Sequence, residues 1–88
     1  MEETFSIRIV DEDGDGIEDV TVYLDYAGIT GDSDSEETDS DGWAEFTLHR
    51  EFGVGHPKTI SSVTANGVIV MSDSFTPDDG DTFSFTLA

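Results

Sequence analysis

Eighty-eight residues make one domain, 1–88, with a single thin core and no cysteine to add a disulfide or a thiolate metal site. Twenty-one acidic residues stand against three basic ones, Arg8, Arg50 and Lys58, a surface that repels nucleic-acid phosphates and anionic membranes. No apolar run approaches the ~18 residues of a membrane span, so neither nucleic acid nor membrane insertion is expected.

In chain order, "MEETFSIRIV" has no basic start and no long apolar stretch, so no signal peptide is expected. That implies a cytoplasmic protein if the chain is complete, and leaves the cell surface or the extracellular space open for a fragment. "TFSIRIV" (4–10) alternates Phe5, Ile7 and Ile9 against Ser6 and Arg8, the period of a half-buried strand. "DVTVYLDY" (19–26) repeats the pattern with Val20, Val22 and Leu24. Residues 27–41, "AGITGDSDSEETDSD", hold few apolar residues and many turn formers and read as a mobile loop. "WAEFTLH" (43–49) puts Ala44, Phe46 and Leu48 on one face. "TISSVTA" and "VIVMSDSF" flank Asn66-Gly67, a hairpin signal, and "TFSFTLA" (82–88) aligns Phe83, Phe85 and Leu87. No segment has helical spacing with caps, and no internal repeat is visible. About seven short strands predict an all-β, antiparallel, immunoglobulin-like or prealbumin-like Greek-key sandwich.

Six Phe, one Trp and two Tyr, recurring with strand period, mark the acidic chain as folded. Self-repulsion destabilises such a chain at low salt. At molar salt the Debye length falls to about 3 Å and the repulsion is screened. Abundant Asp, a single Lys and small polar filler therefore predict a halophilic protein.

"IVDEDGDGIEDVTV" (9–22) resembles the opening of carboxypeptidase-regulatory-like, prealbumin-like β-sandwich domains. The pattern falls on Ile9, Asp11, Asp13, Gly14, Ile17, Val20 and Val22. Their second signature, Thr-Asp-x-x-Gly-aromatic-Ala-x-Phe, is matched by "TDSDGWAEF" at 38–46. The group usually carries Pro near Gly16 and Gly near Asp19, and this chain carries neither. The resemblance implies a first hairpin turning at 11–19 and an accessory, spacer or adhesion role without catalysis. Transthyretin-like hydrolases of purine breakdown share the architecture but end in Tyr-Arg-Gly-Ser. This chain ends "FSFTLA", so that activity is not expected. Cna-B-like adhesins cross-link a first-strand Lys to a last-strand Asn. Here the first strand offers Arg8 and the last has no Asn, so the cross-link is not expected either.

Asp11, Asp13, Asp15 and Gly16 fall where an EF-hand loop has its first ligands and its glycine. Yet Glu18 takes the usual apolar position, and Val22 replaces the bidentate Glu. The EF-hand reading fails. Asp11, Asp13 and Asp15 remain candidate ligands of a different calcium site, with acids from 39–41 or 78–81, against the plainer reading of solvated turns. Trp43 and Tyr23 face away from the apolar stripes of their strands and are candidates for stacking on a carbohydrate. The plainer reading has Trp43 covering an edge of the sandwich. His49 and His56 lack the convergent ligands zinc needs and read as surface residues. A hydrolase would need one of them beside a serine and an acid. The expectation is thus a monomeric, non-catalytic accessory or interaction module that works with a protein partner or neighbouring domain and holds no cofactor. The alternative is a calcium-dependent or carbohydrate-binding module of a surface protein. The expected core is Phe5, Ile7, Ile9, Val20, Val22, Leu24, Ala44, Phe46, Leu48, Phe83, Phe85 and Leu87.

Overall fold

The structure is a computed structural model and describes residues 2–26, 33–49 and 59–87. Seven strands run in order: β1 (Glu2–Val10), β2 (Thr21–Tyr26), β3 (Ser33–Glu37), β4 (Trp43–His49), β5 (Ile60–Ala65), β6 (Val68–Met71) and β7 (Thr82–Thr86). They form two sheets, ordered β4-β1-β7 and β3-β2-β5-β6. The all-β sandwich expected from the alternation is what the chain adopts. Four of the five strand pairings are antiparallel; β7 lies parallel to β1. Among the described residues no helix is long and apolar enough to cross a membrane.

Alternation places the core. Phe5, Ile7 and Ile9 of β1 meet Val20, Val22 and Leu24, and Ala44 and Phe46 complete that layer, all buried. Phe5 stacks on Phe46 with centroids 5.5 Å apart, and Phe83 meets Phe5 edge-on at 6.3 Å. Phe75 then packs on Phe83 at 4.7 Å, so a row of rings extends across sheet β4-β1-β7. Ile60, Val63, Ala65 and Tyr26 are buried too, though the alternation of "TISSVTA" alone does not assign them a face. A register shift opposite Asp25/Tyr26 interrupts its period. Phe83, Phe85 and Leu87 pack on the core only half-buried. The Leu48 side chain lies outside what is described.

Two expectations are corrected. Part of the segment 27–41 read as a mobile loop is β3, paired antiparallel to β2 from Thr21↔Glu37 to Asp25↔Ser33. Its side chains are almost all exposed, so backbone pairing holds it and no apolar stripe was needed. Residues 27–32 lie outside the described residues. Second, 11–20 is not a hairpin turn, because β1 and β2 belong to different sheets. The chain folds back on β1 only through a bridge between Val10 and Gly16, then crosses to the facing sheet with Ile17 and Val20 packed inward. The hairpin signalled by Asn66-Gly67 is present. Both residues have positive φ, 48° and 83°, the type I′ pattern that matches strand twist.

Candidate functional site

Both stretches with the strongest sequence signature lie at the corner where β1 crosses to β2 and β3 returns to β4. Each contains the same turn. In Asp11–Asp15, Asp11 Oδ1 accepts the N–H groups of Asp13 (2.9 Å) and Asp15 (3.0 Å). The Gly14 N–H donates to the Asp11 carbonyl at 3.0 Å, and the Asp11 N–H to the Asp15 carbonyl at 2.8 Å. In Asp39–Trp43, Asp39 Oδ1 accepts from Asp41 (2.9 Å) and Trp43 (3.0 Å). Gly42 donates to the Asp39 carbonyl at 3.0 Å, and Asp39 to the Trp43 carbonyl at 2.9 Å. Asp closes such turns because its short carboxylate reaches its own downstream amides. The glycines hold φ of 86° and 87°, a left-handed conformation costly to other residues. The echo "DEDG" and "DSDG" is present in the sequence, but only the shared hydrogen bonds give it meaning.

The two turns are locked together. A Cβ on Gly42 would lie 2.6 Å from the Ile9 carbonyl oxygen, 2.7 Å from Gly16 Cα and 2.9 Å from Ile17 N. A Cβ on Gly16 would run into the Asp41 carbonyl. The Ile9 N–H donates to the Gly42 carbonyl at 2.8 Å, and the Ile17 N–H to the Ile9 carbonyl at 2.9 Å. Beneath them Thr38, only 3% exposed, accepts from the Val20 N–H at 2.9 Å and donates its hydroxyl to the Ile17 carbonyl at 2.6 Å. A buried hydroxyl satisfied in both directions pins the crossover to the start of β2.

The calcium candidates are placed by this geometry. Asp11 is half-buried, with one carboxylate oxygen held by two amides, while Asp13 and Asp15 are exposed. Calcium takes six to eight oxygens. Among the described residues no three acidic or histidine side chains converge to hold a metal ion. The described residues do not form a ready-made calcium site.

The aromatic candidates do face outward, but from opposite sheets. Trp43 lies on β4 and Tyr23 on β2, each alternating with core residues, so the whole sandwich separates them. Trp43 is half-buried, and the Arg8 guanidinium sits over its ring at 5.8 Å while Arg8 Nε donates to the Asp41 carbonyl at 3.0 Å. Arg8 is the only Lys or Arg among the described residues, so this cation closes the turn from outside. Tyr23, 41% exposed, stands across from Thr64 on β5. His56, Arg50 and Lys58 lie outside the described residues, as does the His49 side chain. Among the described residues Ser62 Oγ donates to Asp25 Oδ2 at 3.1 Å across the β2–β5 pairing. Comparison with protein-family models finds no match, and comparison with curated proteins finds none similar to the chain.

Proposed function

We propose that this domain is a non-catalytic accessory or interaction β-sandwich, adapted to high salt, of the carboxypeptidase-regulatory-like, prealbumin-like kind. One observation carries the reading: the residues of the two signatures have structural tasks. Thr38 satisfies a buried amide and a carbonyl, Asp39 closes a turn, Gly42 admits a close backbone approach, and Ala44 and Phe46 fill the core. From the other side Ile9, Val20 and Val22 fill the core, Asp11 closes the first turn, and Gly14 supplies its left-handed residue. Signature residues that build the frame leave the function to whatever surface the frame presents.

Salt adaptation is supported by the crowding of Asp19, Asp34, Glu36, Glu37, Asp39 and Asp41 around β3 and its turn, with Arg8 as the one described cation nearby. Such a cluster repels itself until salt screens it. Urea midpoints followed by Trp43 fluorescence across a KCl series test this. The midpoint is expected to rise from low to molar KCl, and equal stability at both ends overturns the salt adaptation.

A further inference from the structure

Among the described residues the sandwich has four edge strands, and they differ in charge. β3 carries Asp34, Glu36 and Glu37, and β4 carries Glu45. On the opposite side, residues 59–72 and 82–88 contain no charged residue at all, and these spans include β5, β6 and β7. Exposed edges normally carry charge, Pro or a bulge to prevent pairing. β7, "TFSFT", has no charge and no Pro, and among the described residues no strand covers its outer edge.

The hydrogen-bond register shows what that edge offers. The Ser6 N–H donates to the Asp81 carbonyl at 3.0 Å, and the Leu87 N–H to the Val10 carbonyl at 2.9 Å. In the parallel pairing, odd-numbered residues of β7 therefore bond to β1, and Thr82, Ser84 and Thr86 aim their N–H and C=O outward. Inward, Phe83 and Phe85 are only half-buried. The facing sheet ends at the short β6, where Val68 and Ile69 are 51% and 66% exposed.

We propose that β7 is a dimer seam, where a second copy of this chain adds its own β7 antiparallel about a two-fold axis at Ser84. Ser84 then faces Ser84, and Thr82 faces Thr86, so each outward N–H meets a carbonyl and the sheet runs on as β4-β1-β7-β7-β1-β4. Phe83 and Phe85 gain cover from the same rings of the partner. The outward groups of β7 are self-complementary about Ser84, and charge opposes a second copy least along this edge. A chain of net charge −18 can meet its like most closely through strands that carry none. A basic partner is drawn to the β3 side instead. Uneven charge is the reason this departs from the expected monomer, and it holds whether or not the salt adaptation does.

Sedimentation velocity over a concentration series, at low and molar KCl, tests it. A dimer is expected whose dissociation constant falls as KCl rises, because screening removes repulsion between like-charged copies. Ser84→Pro removes an outward N–H and breaks no β1–β7 hydrogen bond, and it is expected to weaken the dimer at least about tenfold, roughly the ~1.4 kcal/mol of such a bond pair. Far-ultraviolet circular dichroism and Trp43 fluorescence report whether that variant folds. Ser84→Asp, at the position paired with Arg8 of β1, supplies a second variant that sets like charges face to face across the seam. A wild-type monomer at every salt and concentration overturns the proposal, including the case where another protein's strand occupies the edge. So does a dimer unchanged in both variants.

Discussion

The turns at Asp11–Asp15 and Asp39–Trp43 share every hydrogen bond within them but not their surroundings. Gly14 has nothing within 4 Å of where a Cβ would sit, whereas Gly42 is wedged against β1 and the Gly16–Ile17 backbone. The first turn is a free tip; the second is an inserted part. The same sequence pattern is thus replaceable in one place and structural in the other. The difference lies in what packs on the turn, not in the turn.

Glycine substitutions test that comparison with the largest effect. Gly14→Ala meets only the left-handed φ, a cost of about 1–2 kcal/mol. Gly42→Ala meets the same φ and must also displace backbone, adding roughly 1–3 kcal/mol. The sum, about 2–5 kcal/mol, reaches the lower end of the stability expected for a domain this small, about 4–13 kcal/mol at usual per-residue values. Urea unfolding at molar KCl, followed by circular dichroism, is expected to show Gly42→Ala far weaker than Gly14→Ala. Equal losses would mean that the wedge relaxes freely.

Thr38→Val comes next. It keeps the shape but orphans the Val20 N–H and the Ile17 carbonyl, for a loss of about 1–3 kcal/mol. Thr38→Ser, which retains the hydroxyl, is expected to recover most of it. A serine variant as weak as valine would transfer the role to the methyl group. Below that lie Asp11→Ala and Asp39→Ala. Each removes one carboxylate oxygen from two exposed amides that water can solvate instead, about 1 kcal/mol by analogy with helix caps. Near-equal losses are expected, because the internal bonds are the same. A much larger loss at Asp39 would show that the wedge amplifies its turn.

How much of this was legible in the sequence depended on what held each element. β2, β4, β7 and β1 from Phe5 onward carry an apolar residue at every second position, so burial itself writes their period. β3 has no such period: "SDSEE" is an edge held by backbone bonds, which any side chain can make. Alternation also says that Ile9 and Val22 face a core, but not that they face it from opposite sheets. For that reason residues 11–20 read as a hairpin, and the alternation of Trp43 and Tyr23 does not tell that their outer faces are opposite ones. The acidic spacing of Asp11, Asp13 and Asp15 was legible as turn chemistry, and the hydrogen bonds show Asp11 engaged in that way.

Asp19 gives the smallest and most pointed test. It lies where the resembling domains usually carry Gly, and its φ is 61°, left-handed for a residue with a Cβ. Its N–H donates to the Thr38 carbonyl at 3.2 Å, so the strained residue sits directly on the locked corner. Asp tolerates this region better than most residues, which keeps the strain low. Asp19→Gly removes the strain and one acid from a crowded cluster, but loosens the unfolded chain. The balance is expected to favour the variant by a few tenths to about 1 kcal/mol. The gain should be larger at low KCl, where the lost charge counts most. Asp19→Asn separates the two contributions, since it removes the charge and keeps a side chain at positive φ. If Asn matches Gly at every salt, charge alone accounts for the gain; if Asn gains only at low KCl and Gly gains at both, the backbone strain is real.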